Sequence, residues 1–178
     1  MNFFQELKKK RLQKRIDKVV KSRLNKFHYI EKNKSVGLII DSTDEKVLKR
    51  SKEFFKCLIE NGNQVERLFF VNNKVKKNEI LPDNTISIHG NKWIKSEIVE
   101  NFTKTKYDIL IILNFKELFE IHYLSAIVNA DLKVSPHYKE ANYADLTFML
   151  NDFSYPYHFF DAVKKYLIET PKTEQEYA

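Results

Sequence analysis

Short apolar runs that alternate with helix-like segments are the feature that most constrains how this chain can fold. The clearest run is 109–113, five consecutive aliphatic residues after Asp108, and a second run, 36–40, ends at Asp41. Nearly continuous apolar strands are buried on both faces, which requires a mostly parallel sheet covered by helices on either side. We therefore predict a three-layer αβα domain, Rossmann-like or flavodoxin-like, with five or six strands and an N-terminal basic helix.

Capping and helix-breaking residues divide the rest of the chain. Asp44 and Gly62 bracket one predicted helix, Ser96 caps a second, and Pro156 begins the last. A further helix is expected over 116–129. The remaining strands are expected over 65–71, around Ile86, over 132–134 and over 146–150.

Positive charge is concentrated at the N-terminus. Residues 1–27 hold ten of the 31 Lys and Arg residues and two of the 24 acids, a net charge of +8, whereas the rest of the chain carries −1. This segment has no Gly or Pro and favours a helix, continuous or broken near 8–10. One face of that helix carries its apolar residues, Leu12, Ile16, Val19, Val20, Leu24 and Phe27. We predict a basic arm (1–30), a single α/β domain (31–170) and a frayed tail (171–178).

A compact block of positive charge beside a nearly neutral body indicates a polyanionic partner, and structured RNA or a ribosomal surface is the interpretation we favour. The side chains expected to contact phosphates are Lys8, Lys9, Lys10, Arg11, Lys14, Arg15, Lys18 and Lys21. An acidic membrane surface or a protein complex is the alternative partner, because a basic amphipathic helix can also lie on acidic lipid. No motif for sequence-specific DNA recognition is present.

Polar residues follow several of the predicted strands. In parallel sheets ligands bind at the carboxyl ends of the strands. The residues expected to line such a crevice are Asp41, Ser42, Thr43, His89 and Asn114. The alternative function is therefore a small enzyme or binding protein for a phosphorylated or nucleotide-like metabolite.

Several kinds of chemistry are disfavoured by the residues present. The chain has three glycines, none of which forms a Gly-rich loop after the first strand, so neither common phosphate-binding loop can be built there. Asp41 resembles the nucleophile of haloacid-dehalogenase-type phosphatases, but Thr43 stands where that pattern needs a second Asp. The histidines are scattered without metal-ligand spacing. We expect no metal, no cofactor and a non-enzymatic protein. The single Cys57 and the lack of a secretory signal favour the cytoplasm.

Two family resemblances rest on particular segments. The strand 107–113, the helix through 125–130 and the pair Lys133-Val134 resemble the first domain of heptosyltransferase-type glycosyltransferases, which implies a strand–helix–strand unit. The whole layout resembles an uncharacterised bacterial family of similar length with no assigned activity. The shared features are the basic N-terminal helix, the 107–113 strand, the His122-Tyr123 helix and the 143–146 segment. This resemblance implies the fold and assigns no site.

Overall fold

The computed structural model describes residues 3–21, 34–71, 83–87, 93–138, 143–149 and 156–169. The helices are α1 (Phe3–Lys21), α2 (Glu45–Glu60), α3 (Glu97–Lys104), α4 (Phe119–Ile127) and α5 (Pro156–Lys164). The strands are β1 (Ser35–Asp41), β2 (Gln64–Val71), β3 (Thr85–Ser87), β4 (Lys106–Leu113), β5 (Asn129–Pro136) and β6 (Leu146–Phe148). A 3₁₀ turn, Trp93–Lys95, precedes α3, and a π-helical turn, Lys165–Glu169, follows α5.

The described strands form one six-stranded sheet in the order β3-β2-β1-β4-β5-β6. Each pair of neighbouring strands is parallel. The chain builds outward from β1 to β3, then crosses back to place β4 on the other side of β1. The direction of winding therefore reverses between β1 and β4. This is the predicted three-layer α/β fold, and the sheet is parallel throughout.

The alternation of side chains along the strands divides the core into two layers. On one face, Ile39 and Ile112 pack with residues of α1, α3 and α4. On the other face, Leu38 and Ile111 pack with α2 and α5 through a cluster that includes Phe54 and Phe159. The helices thus cover both faces of the sheet, which explains why the central strands are apolar at nearly every position.

Helix α1 packs on α4 and contributes to the core. Ile16 is 5% exposed and belongs to the same cluster as Ile39, while Val19 and Val20 are half-buried. Helix α4 is buried over six consecutive residues, Ile121 through Ala126. A helix that is buried on every side must be covered on its outer side, and α1 contributes to that cover. The apolar face predicted for this helix thus packs on the domain at Ile16, and α1 is a single helix without the alternative break near residue 10.

Both ends of the helix expected over 116–129 differ from the sequence-based expectation. Helix α4 begins at Phe119, not at 116, because a turn closed by the Asn114 side chain occupies the preceding residues. Asn129, expected to end that helix, is the first residue of β5, where it pairs with Lys106. Among the described helices none is long and apolar enough to cross a membrane.

Candidate functional site

The reversal of winding places the carboxyl ends of β1 and β4 side by side. Ile39 pairs with Ile112 and Ile40 with Leu113, so the next residues along the two strands, Asp41 and Asn114, are neighbours. Both follow the alternation of Ile39 and Ile112 and face the layer that contains α4. Asp41 is 1% exposed and Asn114 is fully buried. In open parallel sheets this position is where ligands bind, because the loops on either side diverge from it.

A chain of hydrogen bonds joins the two loops across this position. The backbone N–H and the hydroxyl of Thr43 both donate to Oδ1 of Asp41, at 3.0 and 2.5 Å. The Lys116 ammonium donates to the Thr43 hydroxyl at 3.0 Å. Asp44 accepts from the Lys46 N–H at 2.8 Å and caps α2. The turn after β1 is thus held by its own carboxylates and linked to the turn after β4.

The Asn114 side chain builds the turn after β4. Its Oδ1 accepts from the Leu118 N–H at 2.8 Å, and its Nδ2 donates to the Leu118 carbonyl at 3.0 Å. Within this turn Glu117 has a φ of 52°, in the left-handed region that non-glycine residues rarely adopt. The buried Asn114 amide thus closes the turn and holds Glu117, which is exposed, in this strained conformation.

His122, one turn into α4, lies against this amide. Its Nε2 is 3.5 Å from the Asn114 Nδ2, and its Nδ1 is 2.8 Å from the Tyr143 hydroxyl. Because the Asn114 nitrogen carries only hydrogens, Nε2 acts as the acceptor and the proton lies on Nδ1, which donates to Tyr143. Burial lowers the pKa of His122 to about 4, so the ring is neutral at pH 7.

Two hydroxyl groups are buried beside this histidine. Tyr138 is 4% exposed, its ring lies 4.7 Å from that of His122, and its hydroxyl lies near the Asn114 backbone and Tyr143. The Ser125 hydroxyl, also near Tyr143, is fully buried. Neither hydroxyl makes a hydrogen bond of normal geometry. Burial raises the pKa of both Tyr138 and Tyr143, so these rings stay neutral. We call the set the switch-point cluster: Asp41, Thr43, Asn114, Lys116, His122, Ser125, Tyr138 and Tyr143.

The second candidate site is the outer side of α1. All the cations whose side chains are described there are exposed, and we call them the basic surface: Lys10, Arg11, Lys14, Arg15 and Lys18. The Arg15 guanidinium also donates to the Tyr123 hydroxyl on α4 at 3.1 Å. Within the described part of the chain none of the five forms an ion pair with a carboxylate, although ion pairs occur elsewhere on the surface.

The sequence-based site residues fall into three groups. Asp41, Thr43 and Asn114 belong to the switch-point cluster. Ser42 does not, because its hydroxyl donates to the Phe70 carbonyl at 2.8 Å and so stabilises the turn after β1. His89 lies outside the described residues, as do the side chains of Lys8, Lys9 and Lys21.

Sequence reasoning missed the residues that surround Asn114: Lys116, His122, Ser125, Tyr138 and Tyr143. His122 and the two tyrosines are polar aromatic residues in otherwise ordinary segments, and their spacing carries no signal for a common site. The fold alone brings them together. Within the described ranges no group of three or more His, Cys, Asp or Glu side chains could hold a metal ion.

Comparison with known families gave one result. The model of a family described as "Family of unknown function (DUF6913)" matches residues 5–169, from the arm to the end of the α/β domain. No similarity to heptosyltransferases was found in this comparison. Neither the curated proteins nor the solved structures gave a match.

Proposed function

The chain belongs to the DUF6913 family, and we propose that it binds a polyanionic partner, structured RNA or a ribosomal surface, through the basic surface of α1. The observation that carries this proposal is the set of exposed cations on α1, none of which forms an ion pair within the described residues. Cations that are not neutralised by the protein itself release the counterions of a nucleic acid when they meet its phosphates, which drives association.

The arrangement of these cations supports contact with an extended polyanion. Lys10, Lys14 and Lys18 follow one another at intervals of four residues, which corresponds to about 6 Å along a helix. Packing of Ile16 into the core holds this row in place. A fixed row loses less conformational entropy on binding than the same cations on a flexible tail would lose.

The burial of α1 favours nucleic acid over lipid. A helix that binds at a membrane surface inserts its apolar face among the acyl chains. In this protein the described apolar side chains of α1 pack inward, since Ile16 is 5% exposed and Val20 packs against the same core cluster. The described part of the basic surface offers charge without a free apolar face, which suits phosphate groups on a solvated backbone.

The test uses charge removal and not deletion of the arm, because deletion would uncover α4. We would measure binding of a short RNA hairpin by filter retention across a series of salt concentrations, for the wild type and for Lys10→Gln/Lys14→Gln/Lys18→Gln. We expect the affinity of the variant to fall on the order of 100-fold at low salt, and the slope of log K against log salt to drop by about 2 to 3.

A matched control carries the same loss of charge on α2, in the variant Lys46→Gln/Lys49→Gln/Lys52→Gln. These lysines are exposed and lie on the opposite layer of the fold. The proposal fails if the two variants lose affinity equally, or if binding by the wild type is absent or independent of salt. Flotation with vesicles of acidic lipid, sensitive to the α1 variant, would support the membrane alternative and contradict the RNA proposal.

A further inference from the structure

One cation of the basic surface is held by the body of the protein. The Arg15 guanidinium donates from Nη1 to the Tyr123 hydroxyl on α4 at 3.1 Å, although Arg15 itself is exposed. Within the described ranges no comparable side-chain bond holds the other four cations. A long side chain that is already restricted by a hydrogen bond loses less conformational entropy when it binds a ligand.

Tyr123 is a rigid partner for this arginine. Its ring is 3% exposed and packs edge-on against Trp93, with the two ring centroids 6.4 Å apart. Trp93 packs in turn edge-on against Phe70 of β2, at 5.9 Å, and both of these rings are buried. The hydroxyl that orients Arg15 is therefore fixed by packing that extends to the sheet.

The hydrogen bond to the tyrosine leaves most of the guanidinium available. A guanidinium has five N–H donors, and one of them is used. Arg11, four residues before Arg15, and Lys18, three residues after it, lie on the same side of the helix. Asp17 lies about 200° around the helix from Arg15. Like charges at this spacing destabilise a helix, so an anion bound among the three cations would offset their repulsion.

On the basis of the proposed function, on which this inference rests, we propose that Arg15 anchors the RNA. It binds one backbone phosphate through two parallel N–H···O bonds, and Tyr123 is the residue that positions it. A guanidinium matches two phosphate oxygens at once, whereas a lysine meets a phosphate as a point charge. Arg11 and Lys18 add attraction without fixing the geometry.

A phosphate anchor also defines the part of the RNA that is bound. The duplex stem of a hairpin presents its phosphates at the surface, while its deep and narrow major groove keeps the base edges out of reach of side chains. A contact to phosphate carries no information about base sequence. The partner of Arg15 is therefore a duplex stem of any sequence.

The test measures filter retention of an RNA hairpin by full-length protein across a series of salt concentrations. Arg15→Lys keeps the charge but removes the planar fork, so we expect the affinity to fall about 10-fold while the slope of log K against log salt stays unchanged. Arg11→Lys makes the same change at a cation without a described partner, and we expect a loss of about 2-fold. Arg50→Lys, on α2 at the opposite face of the sheet, is the control and should bind as the wild type does.

Tyr123→Phe tests the positioning role, because it removes only the hydroxyl group. We expect the affinity to fall about 5-fold, again with an unchanged salt slope, since no charge is lost. In the Arg15→Lys background the same substitution should have no further effect, because Tyr123 acts through the guanidinium. Equal losses in the two backgrounds would show that Tyr123 has a purely structural role and would overturn its positioning role.

The outcomes separate this inference from the proposed function. Salt-dependent binding by the wild type, with equal losses in Arg15→Lys and Arg11→Lys, would overturn the anchoring role and leave the proposed function in place. Absence of binding by the wild type would contradict the proposed function itself. The loss in Arg15→Lys should be the same for hairpins of equal length and different stem sequence. A loss confined to one stem sequence would assign Arg15 to a base and not to a phosphate.

Discussion

The basic surface and the switch-point cluster hold their polar groups in opposite environments, exposed to solvent in the first and buried in the protein in the second. On α1 the cations are exposed and solvated, so their positions cost little and they act through long-range attraction. In the cluster Asn114, His122 and Tyr143 are buried, and each must find its partner inside the protein. Helix α4 connects the two regions, since His122 faces the cluster and the next residue, Tyr123, meets Arg15 of α1. The comparison predicts large effects on stability in the cluster and small ones on α1.

The largest effect is expected at Asn114. Asn114→Ala removes both hydrogen bonds to Leu118 and leaves the Leu118 N–H without its partner at the start of α4, whereas the Leu118 carbonyl still accepts from the N–H groups of Ile121 and His122. We expect the free energy of unfolding to fall by about 3 kcal/mol, measured by urea denaturation. Asn101→Ala, at an exposed position of α3, is the matched control and should change it by less than about 0.5 kcal/mol. Equal effects at the two positions would contradict the role assigned to the Asn114 side chain.

The next effect concerns pH. The pKa of His122 is lowered to about 4 in the folded protein, below its ordinary value near 6.5, so the unfolded chain binds a proton more readily. Stability is therefore fully present at neutral pH and is lost as the pH falls from about 6.5 to about 4. At about pH 4.5 we expect a loss of about 2 kcal/mol from this group.

The pH effect is isolated by comparing the wild type with His122→Gln, which cannot titrate in this range. Denaturation curves for both proteins from neutral to acidic pH give the free energy of unfolding as a function of pH. The difference between the two slopes reports the titration of His122, because the contributions from carboxylates are common to both proteins. If the difference in stability between them stays constant over this range, the histidine does not titrate as its burial requires.

A smaller effect is expected where the two regions meet. Tyr123→Phe removes the acceptor for Arg15 but leaves a ring that is 3% exposed. Because Arg15 is exposed, its guanidinium can donate to water in place of the lost hydroxyl. The free energy of unfolding should therefore fall by only about 1 kcal/mol. Tyr166→Phe, at a tyrosine 58% exposed, serves as the control and should have almost no effect. A loss above that of Asn114→Ala would show that α1 is anchored mainly by this bond.

The smallest effect on stability is expected on the basic surface itself. Lys10→Gln/Lys14→Gln/Lys18→Gln breaks no ion pair within the described residues and should alter the free energy of unfolding by less than about 0.5 kcal/mol. Thermal denaturation checks this expectation directly. A marked loss would mean that these side chains support the fold, and it would weaken the comparison between the two regions.

The candidate sites were predictable from the sequence to different degrees. The basic surface was predictable from local information, because one short stretch of sequence determines both the charge of α1 and the face on which its cations lie. Asp41, Thr43 and Asn114 were predicted as crevice residues because they follow apolar strands. Whether these three residues lie close together depends on which strands are adjacent in the sheet. No local sequence pattern specifies that strand order. His122, Tyr138 and Tyr143 were not predicted as a group, since His122 lies on α4 and the two tyrosines follow β5 in the chain.

The sequence by itself determined the fold class and the position of the positive charge, because apolar runs, caps and cation spacing act over a few neighbouring residues. The tertiary structure alone decided the strand order, the point of reversal between β1 and β4, and the burial of α4 beneath α1. These features depend on contacts between segments distant in the chain. Burial, in turn, decides which polar groups are solvated and which must be satisfied within the protein.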